Sequence, residues 1–150
     1  MVRGELDRGS VGCRVITCSR CIMRTDPGCF YAAEKKEPYR GLLNLTGGKI
    51  EPGENGLDAA YRELWEETSI DREEIQLVHL MDFTYPLDRC YVEVYVGRLK
   101  RSVQVYGEEN ELVWQDLHQN YFDSSQYAGE GNIGHILMHV ELRRQELLGL

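Results

Sequence analysis

Arg62, Glu63, Glu66 and Glu67 crowd into one short stretch of GGKIEPGENGLDAAYRELWEETSI, residues 47 to 70. On a helix the three glutamates share an arc of roughly 100°. Glutamates at i and i+4, here Glu63 and Glu67, repel by a few tenths of a kcal/mol on an exposed helix. Stability alone therefore gives no reason for the pattern. A divalent cation such as Mg²⁺ does, because it takes oxygen ligands and helical carboxylates at i, i+3 and i+4 offer several at one spot. The competing reading is a solvated acidic face.

The elements that must hold this cluster follow from the surrounding pattern. Residues 10–18 (SVGCRVITC) alternate around β-formers and read as a strand, and 28–36 (GCFYAAEKK) form the next after the turn signal TDPG. Residues 41–48 (GLLNLTGG) make a short apolar strand, and 51–56 (EPGENG) a loop in which Asn55 caps a helix. That helix runs from Gly56 to about Thr68, with Leu57, Ala60, Tyr61, Leu64 and Thr68 as its core stripe. DREE (71–74) reads as a capped turn, 75–85 and 90–99 as two strands, and 111–117 as a further short one. Residues 132–150 have helical spacing at Ile133, Ile136, Leu137, Val140 and Leu147. The expected architecture is an α/β (α+β) layered sandwich, a mixed sheet flanked by helices.

Composition sets outer bounds. The 150 residues suit one domain, residues 1–150, with a sizeable core. A net charge of −8 argues against a broad grip on a nucleic acid polymer, but says little about one pocket that a cation can reverse. No apolar run approaches the roughly 18 residues of a membrane span. MVRGELDRGSVG lacks the apolar middle of a signal peptide, so a cytoplasmic location is expected. Cys13, Cys18, Cys21 and Cys29 lie close together, and CSRC has the spacing of half a zinc site. No second close pair completes it, and reduced structural thiols are the better reading.

Gly48, Glu54, Arg62, Glu63, Leu64, Glu66, Glu67 and Ile70 stand at the spacings of the Nudix box, G-x5-E-x7-R-E-U-x-E-E-x-G-U. Its six fixed identities would coincide by accident on the order of once in 10⁷ to 10⁸ windows. The chain therefore resembles the Nudix hydrolases, and within them the MutT-like group. It departs from the box at Ser69, where the family has a glycine that ends the helix in a left-handed conformation. Serine there should cost about 1 kcal/mol at most.

The resemblance implies metal-dependent hydrolysis of a nucleoside diphosphate linked to X, with Mg²⁺ or alternatively Mn²⁺. Glu63, Glu66 and Glu67 would be the metal ligands, joined by the carbonyl of Gly47. Arg62 would hold their rotamers, and Glu54 would reach the metal directly or through water. The resemblance also suggests a general base before the late strand, for which Glu108 and Glu109 are the candidates. If neither serves, a box glutamate such as Glu66 or Glu67 takes the proton, so the catalytic set is Arg62, Glu66, Glu67, Glu108 and Glu109. Gly48, Lys49, Glu54 and Asn132 would contact substrate. Lys49, Lys35, Lys36 and Arg40 are the nearest basic residues to the phosphate site. Tyr31, Phe83, Tyr85 and Tyr121 could stack on a base.

Asn132 has two readings, the edge of an oxidised guanine or a helix cap. His135 and His139, four apart, read as structural. Tyr85 and Pro86 sit side by side where the family's substrate markers fall, and discriminate nothing. An oxidised or ordinary purine nucleoside triphosphate, 8-oxo-dGTP among them, is the expected substrate. The alternatives are ADP-ribose, a dinucleoside polyphosphate or a nucleotide sugar, and a non-catalytic nucleotide-binding domain. A homodimer is compatible with the family.

Overall fold

The computed structural model describes residues 12–22, 27–87, 89–101 and 103–149, with side chains from residue 31 onward. The strands are β1 (Gly12–Ile22), β2 (Pro27–Ala33), β3 (Leu43–Asn44), β4 (Thr46–Lys49), β5 (Ile75–Tyr85), β6 (Cys90–Leu99) and β7 (Leu112–Asp116). The helices are α1 (Gly56–Thr68), α2 (Asn132–Leu142) and α3 (Arg144–Leu148). The sheet runs β3-β2-β1-β6-β5, with β4 pairing β1 and β7 pairing β2. The β1–β6 pair is parallel and the others are antiparallel, so the sheet is mixed as expected.

Strand β6 explains the layering. Val92, Val94 and Val96 pack with Ile133, Ile136, Leu137 and Val140 of α2, whereas Tyr95 and Leu99 pack with Ala59, Ala60 and Leu64 of α1. Both faces are covered, which is why every residue from Val92 to Gly97 is buried although their types alternate. The segment expected as one strand before α1 breaks at Leu45 into β3 and β4, which pair with different neighbours. The C-terminal helix likewise breaks at Arg143, and Leu148 is buried where Leu147 is only partly so. No helix among the described residues is long and apolar enough to cross a membrane.

A bulge in β5 has consequences further on. The register to β6 slips between His79 and Met81. Ile75 and Leu77 face α1 before the slip, yet Met81, Phe83 and Tyr85 pack on the α2 side after it. One inserted residue exchanges the two faces of a strand. That exchange is what brings Tyr85 to the start of α2.

Helix α1 begins as the sequence suggests: Asn55 accepts from the Asp58 N–H at 2.9 Å. Its core stripe is rotated, however. Ala59 is fully buried, while Leu57 is 39% exposed and Tyr61 only half-buried. The helix lies close on β4 and β1, where small residues fit. At its end Ser69 takes the left-handed conformation, φ 62°, and its N–H donates to the Trp65 carbonyl. The conformation the family reserves for glycine is thus kept by a serine. Ser69→Gly should raise stability by about 0.5 kcal/mol, the strain relieved less the entropy glycine adds to the unfolded chain. Urea denaturation measures this; a loss would mean that serine sits there without strain.

Candidate active site

The short β4 and the first turns of α1 bring Arg62 against three carboxylates. Its Nε and Nη2 donate to the two oxygens of Glu54 at 2.9 and 3.0 Å. Nη1 donates to Glu63 at 2.8 Å and to Glu66 at 3.1 Å. Nη2 also donates to the Lys49 carbonyl at 2.9 Å. All five N–H bonds of the guanidinium are therefore in use. Glu54, which also accepts the Glu51 N–H at 3.1 Å, is held by this clamp below the usual carboxylate range.

Glu67 is treated differently. Its Oε2 accepts the Gly47 N–H at 3.0 Å, and no cationic side chain pairs with it among the described residues. Burial pushes its carboxyl up to about 7, outweighing that one N–H, and the charges of Glu63, Glu34 and Glu109 push the same way. Gly48 is the other close approach. A Cβ there would stand 2.3 Å from the Glu63 carboxylate, so only glycine leaves room for it.

Glu63, Glu66 and Glu67 line an open cleft of about 140 Å³ together with Glu108, Glu109, Ala32, Asn110 and Leu112. The box helix and the loop before β7 are thus brought together. Glu34, at the end of β2, acts on Glu67 and is held by the Asn44 amide at 3.0 Å. In the sequence Glu34 carries no signal beyond being an acidic residue beside Lys35 and Lys36.

The cleft fits a divalent cation in its donor set. Each of Glu63, Glu66 and Glu67 spends one carboxylate oxygen on the bonds above and keeps the other, giving hard oxygen donors. Among the described residues no group of three acidic, histidine or cysteine side chains is already drawn together as a finished metal site. Closing the three carboxylates on one ion would take small side-chain movements.

The remaining expected residues lie elsewhere. The Lys49 side chain is exposed, and its carbonyl serves Arg62. Lys35 donates to the Glu109 carbonyl at 2.6 Å. Asn132 does not line the cleft, and its amide donates to the Tyr85 hydroxyl. It is not a helix cap either: Gly131 holds that position and no side chain caps α2. Tyr31 and Tyr121 are buried and stacked on one another at 5.6 Å, whereas Phe83 and Tyr85 are only half-buried. The His135 ring rests edge-on against Phe122. The side chains of Cys13, Cys18, Cys21 and Cys29 fall outside the described residues.

The model of the NUDIX domain matches residues 17–132. The chain belongs to the Nudix family. It is a Nudix pyrophosphohydrolase, of a family that works with divalent metal ions on nucleotides. Solved Nudix structures share the fold at low identity. A MutT/nudix family protein from Enterococcus faecalis matches with TM-score 0.70 at 17% identity, over 91% of this chain and 62% of its own length. The Ap4A hydrolase of C. elegans, in a binary complex, matches with TM-score 0.70 at 17% identity, over 88% of this chain and 98% of its own. The NUDIX domain of Shewanella oneidensis NrtR, complexed with ADP ribose, gives 0.67 at 15%, over 96% and 99%. No curated protein matches significantly in sequence.

Glu67 supplies a direct test of the site's electrostatics. Its carboxyl titrates at about 7 in the fold against 4.5 as the ordinary value, so the folded state binds the extra proton between them. Its contribution to stability is fully present below about 4.5 and is lost as pH rises through about 7. In metal-free protein, Glu67→Gln should match the parent near pH 4. Near pH 8 it should be more stable by about 1–3 kcal/mol. Urea denaturation in EDTA at both pH values checks this, and a gain that does not change with pH would contradict the assignment.

Proposed function

We propose that this single Nudix domain hydrolyses a purine nucleoside triphosphate, ordinary or oxidised, to the monophosphate and pyrophosphate, with Mg²⁺ or Mn²⁺. The observation that carries the reading is the cleft in which Glu63, Glu66 and Glu67 face Glu108 and Glu109, with no basic side chain among the described residues of its lining. A polyanionic substrate enters such a wall only if cations offset the charge.

Glu63, Glu66 and Glu67 would hold the cation through their second oxygens, with the Gly47 carbonyl beside them. The bound cation would supply charge neutralisation at phosphate oxygens and Lewis-acid activation of water. Arg62 and Glu54 act one step back: they fix the rotamers of Glu63 and Glu66. Gly48 leaves the space in which the Glu63 carboxylate sits.

Water attacks phosphorus, the bond to the bridging anhydride oxygen breaks, and pyrophosphate leaves. Glu108 or Glu109 takes the proton the water gives up. At the other end, the half-buried Phe83 and Tyr85 rings would stack on the base. Asn132, its amide turned by the Tyr85 hydroxyl, would read the base edge.

A second reading keeps the chemistry and changes the substrate to a dinucleoside polyphosphate or ADP-ribose, since one structural relative is an Ap4A hydrolase and another is complexed with ADP ribose. The deciding experiment incubates the protein with dGTP, 8-oxo-dGTP, ATP, ADP-ribose and a dinucleoside tetraphosphate, in Mg²⁺ and in EDTA, and resolves the products. Metal-dependent pyrophosphate release, fastest from 8-oxo-dGTP, is expected. Cleavage of ADP-ribose or the dinucleotide alone would move the substrate to the second reading, and no turnover at all would leave a nucleotide-binding module. Glu67→Gln should lower kcat at least about 100-fold. Asn132→Ala should weaken oxidised guanine about tenfold more than normal guanine, and an equal loss on both would remove it from base reading.

A further inference from the structure

The loop between β6 and β7 carries Glu108 and Glu109, and among the described residues its main-chain hydrogen bonds to neighbouring elements lie at its flanks. On one side the Tyr106 N–H donates to the Thr68 carbonyl at 3.0 Å, and the Ser69 hydroxyl reaches the Tyr106 carbonyl at 3.4 Å. On the other, the Ala33 N–H donates to the Glu111 carbonyl at 2.9 Å. Between these anchors the chain turns sharply: a Cβ on Gly107 would stand 2.1 Å from the Asn110 carbonyl oxygen. At the tip of this turn the Lys35 ammonium donates to the Glu109 carbonyl at 2.6 Å.

Lys35 itself rises from a well-tied base. The Glu34 N–H donates to the Leu42 carbonyl, and the Glu34 carbonyl accepts from Gly41, both at 2.9 Å, closing the 34–42 loop. The Tyr39 hydroxyl fastens the far side of that loop to the Glu130 carboxylate at 3.2 Å. A short, charge-assisted bond from such a base fixes its partner better than one from a free surface lysine.

We propose that Lys35 is a positioning residue. It seats the 107–110 turn so that Glu108 and Glu109 face the box carboxylates, and it does not itself bind substrate phosphate. The inference rests on the proposed role of the loop glutamates in taking the proton.

Lys35→Met keeps the length of the stem and removes the donor; Lys35→Arg restores a donor. The side chain is exposed, so both variants should keep the parent's melting temperature. Amide hydrogen exchange across residues 107–110 is read beside kcat and KM for whichever triphosphate is turned over. In Lys35→Met, exchange should quicken about fivefold. Its kcat should fall about tenfold with KM within about twofold, because the acceptor is misplaced while binding persists. Lys35→Arg should recover most of both losses.

Unchanged exchange in Lys35→Met would overturn the proposal whatever the activity. So would a raised KM at full kcat, the mark of a direct phosphate contact. Faster exchange with full kcat would remove the loop from the reaction and overturn the proposal too. Full activity in both Glu108→Gln and Glu109→Gln would identify the underlying reading as the one that failed.

Discussion

The guanidinium of Arg62 is the point on which the rest of the site depends. It is one cation among three carboxylates, with every N–H committed: two to Glu54, one each to Glu63 and Glu66, and one to the Lys49 carbonyl. That geometry joins the loop before α1, the helix itself and the end of β4. Lysine could not reproduce it, because an ammonium offers three donors from a single atom and no planar fork. The clamp also explains how like charges can be stacked on a helix in advance of any ligand: Glu63 and Glu66 share one strong partner with Glu54 of the preceding loop.

Glu67 is the carboxylate this clamp leaves out, and its environment is correspondingly different. Burial outweighs the Gly47 N–H, so the group sits near neutrality's edge instead of fully ionised. Charge that cannot be neutralised from within the protein is the usual sign of a site built for something that arrives later. The same logic extends outward, since Glu34 and Glu109 add to the unfavourable potential from β2 and from the loop before β7. Backbone economy helps hold the arrangement in place: Gly48 has no side chain where Glu63 must lie, and Ser69 accepts a left-handed turn to end the helix.

Much of this was legible in the sequence, and the physical reasons are uneven. Helix α1 was readable because its cap, its spacing and its end each carry a local signal, and β5 and β6 because runs of β-formers are bounded by turns. The β3–β4 break was not, since it depends on which neighbours each half pairs with. Leu57 was misplaced as core because a hydrophobic stripe gives a direction only to within a residue or so; the tight approach to β4 selected Ala59. The convergence of residues 108 and 109 with the helix was expected from family resemblance alone. Nothing in local sequence joins positions forty residues apart. The Tyr85–Asn132 contact was hidden for another reason: it follows from the β5 bulge, whose single extra residue leaves no mark on the alternation that a reader could trust.

The divalent-cation site proposed on the α1 glutamates would be completed at the expense of the Glu67 proton. Calorimetric titration of Mg²⁺ into the metal-free protein at pH 7, repeated in buffers of different ionisation enthalpy, tests it most directly. Saturable binding is expected, with release of about half a proton per site, since a group titrating near 7 is about half protonated there. In Glu67→Gln the release should disappear. Binding without proton release, or no binding at all, would contradict this assignment.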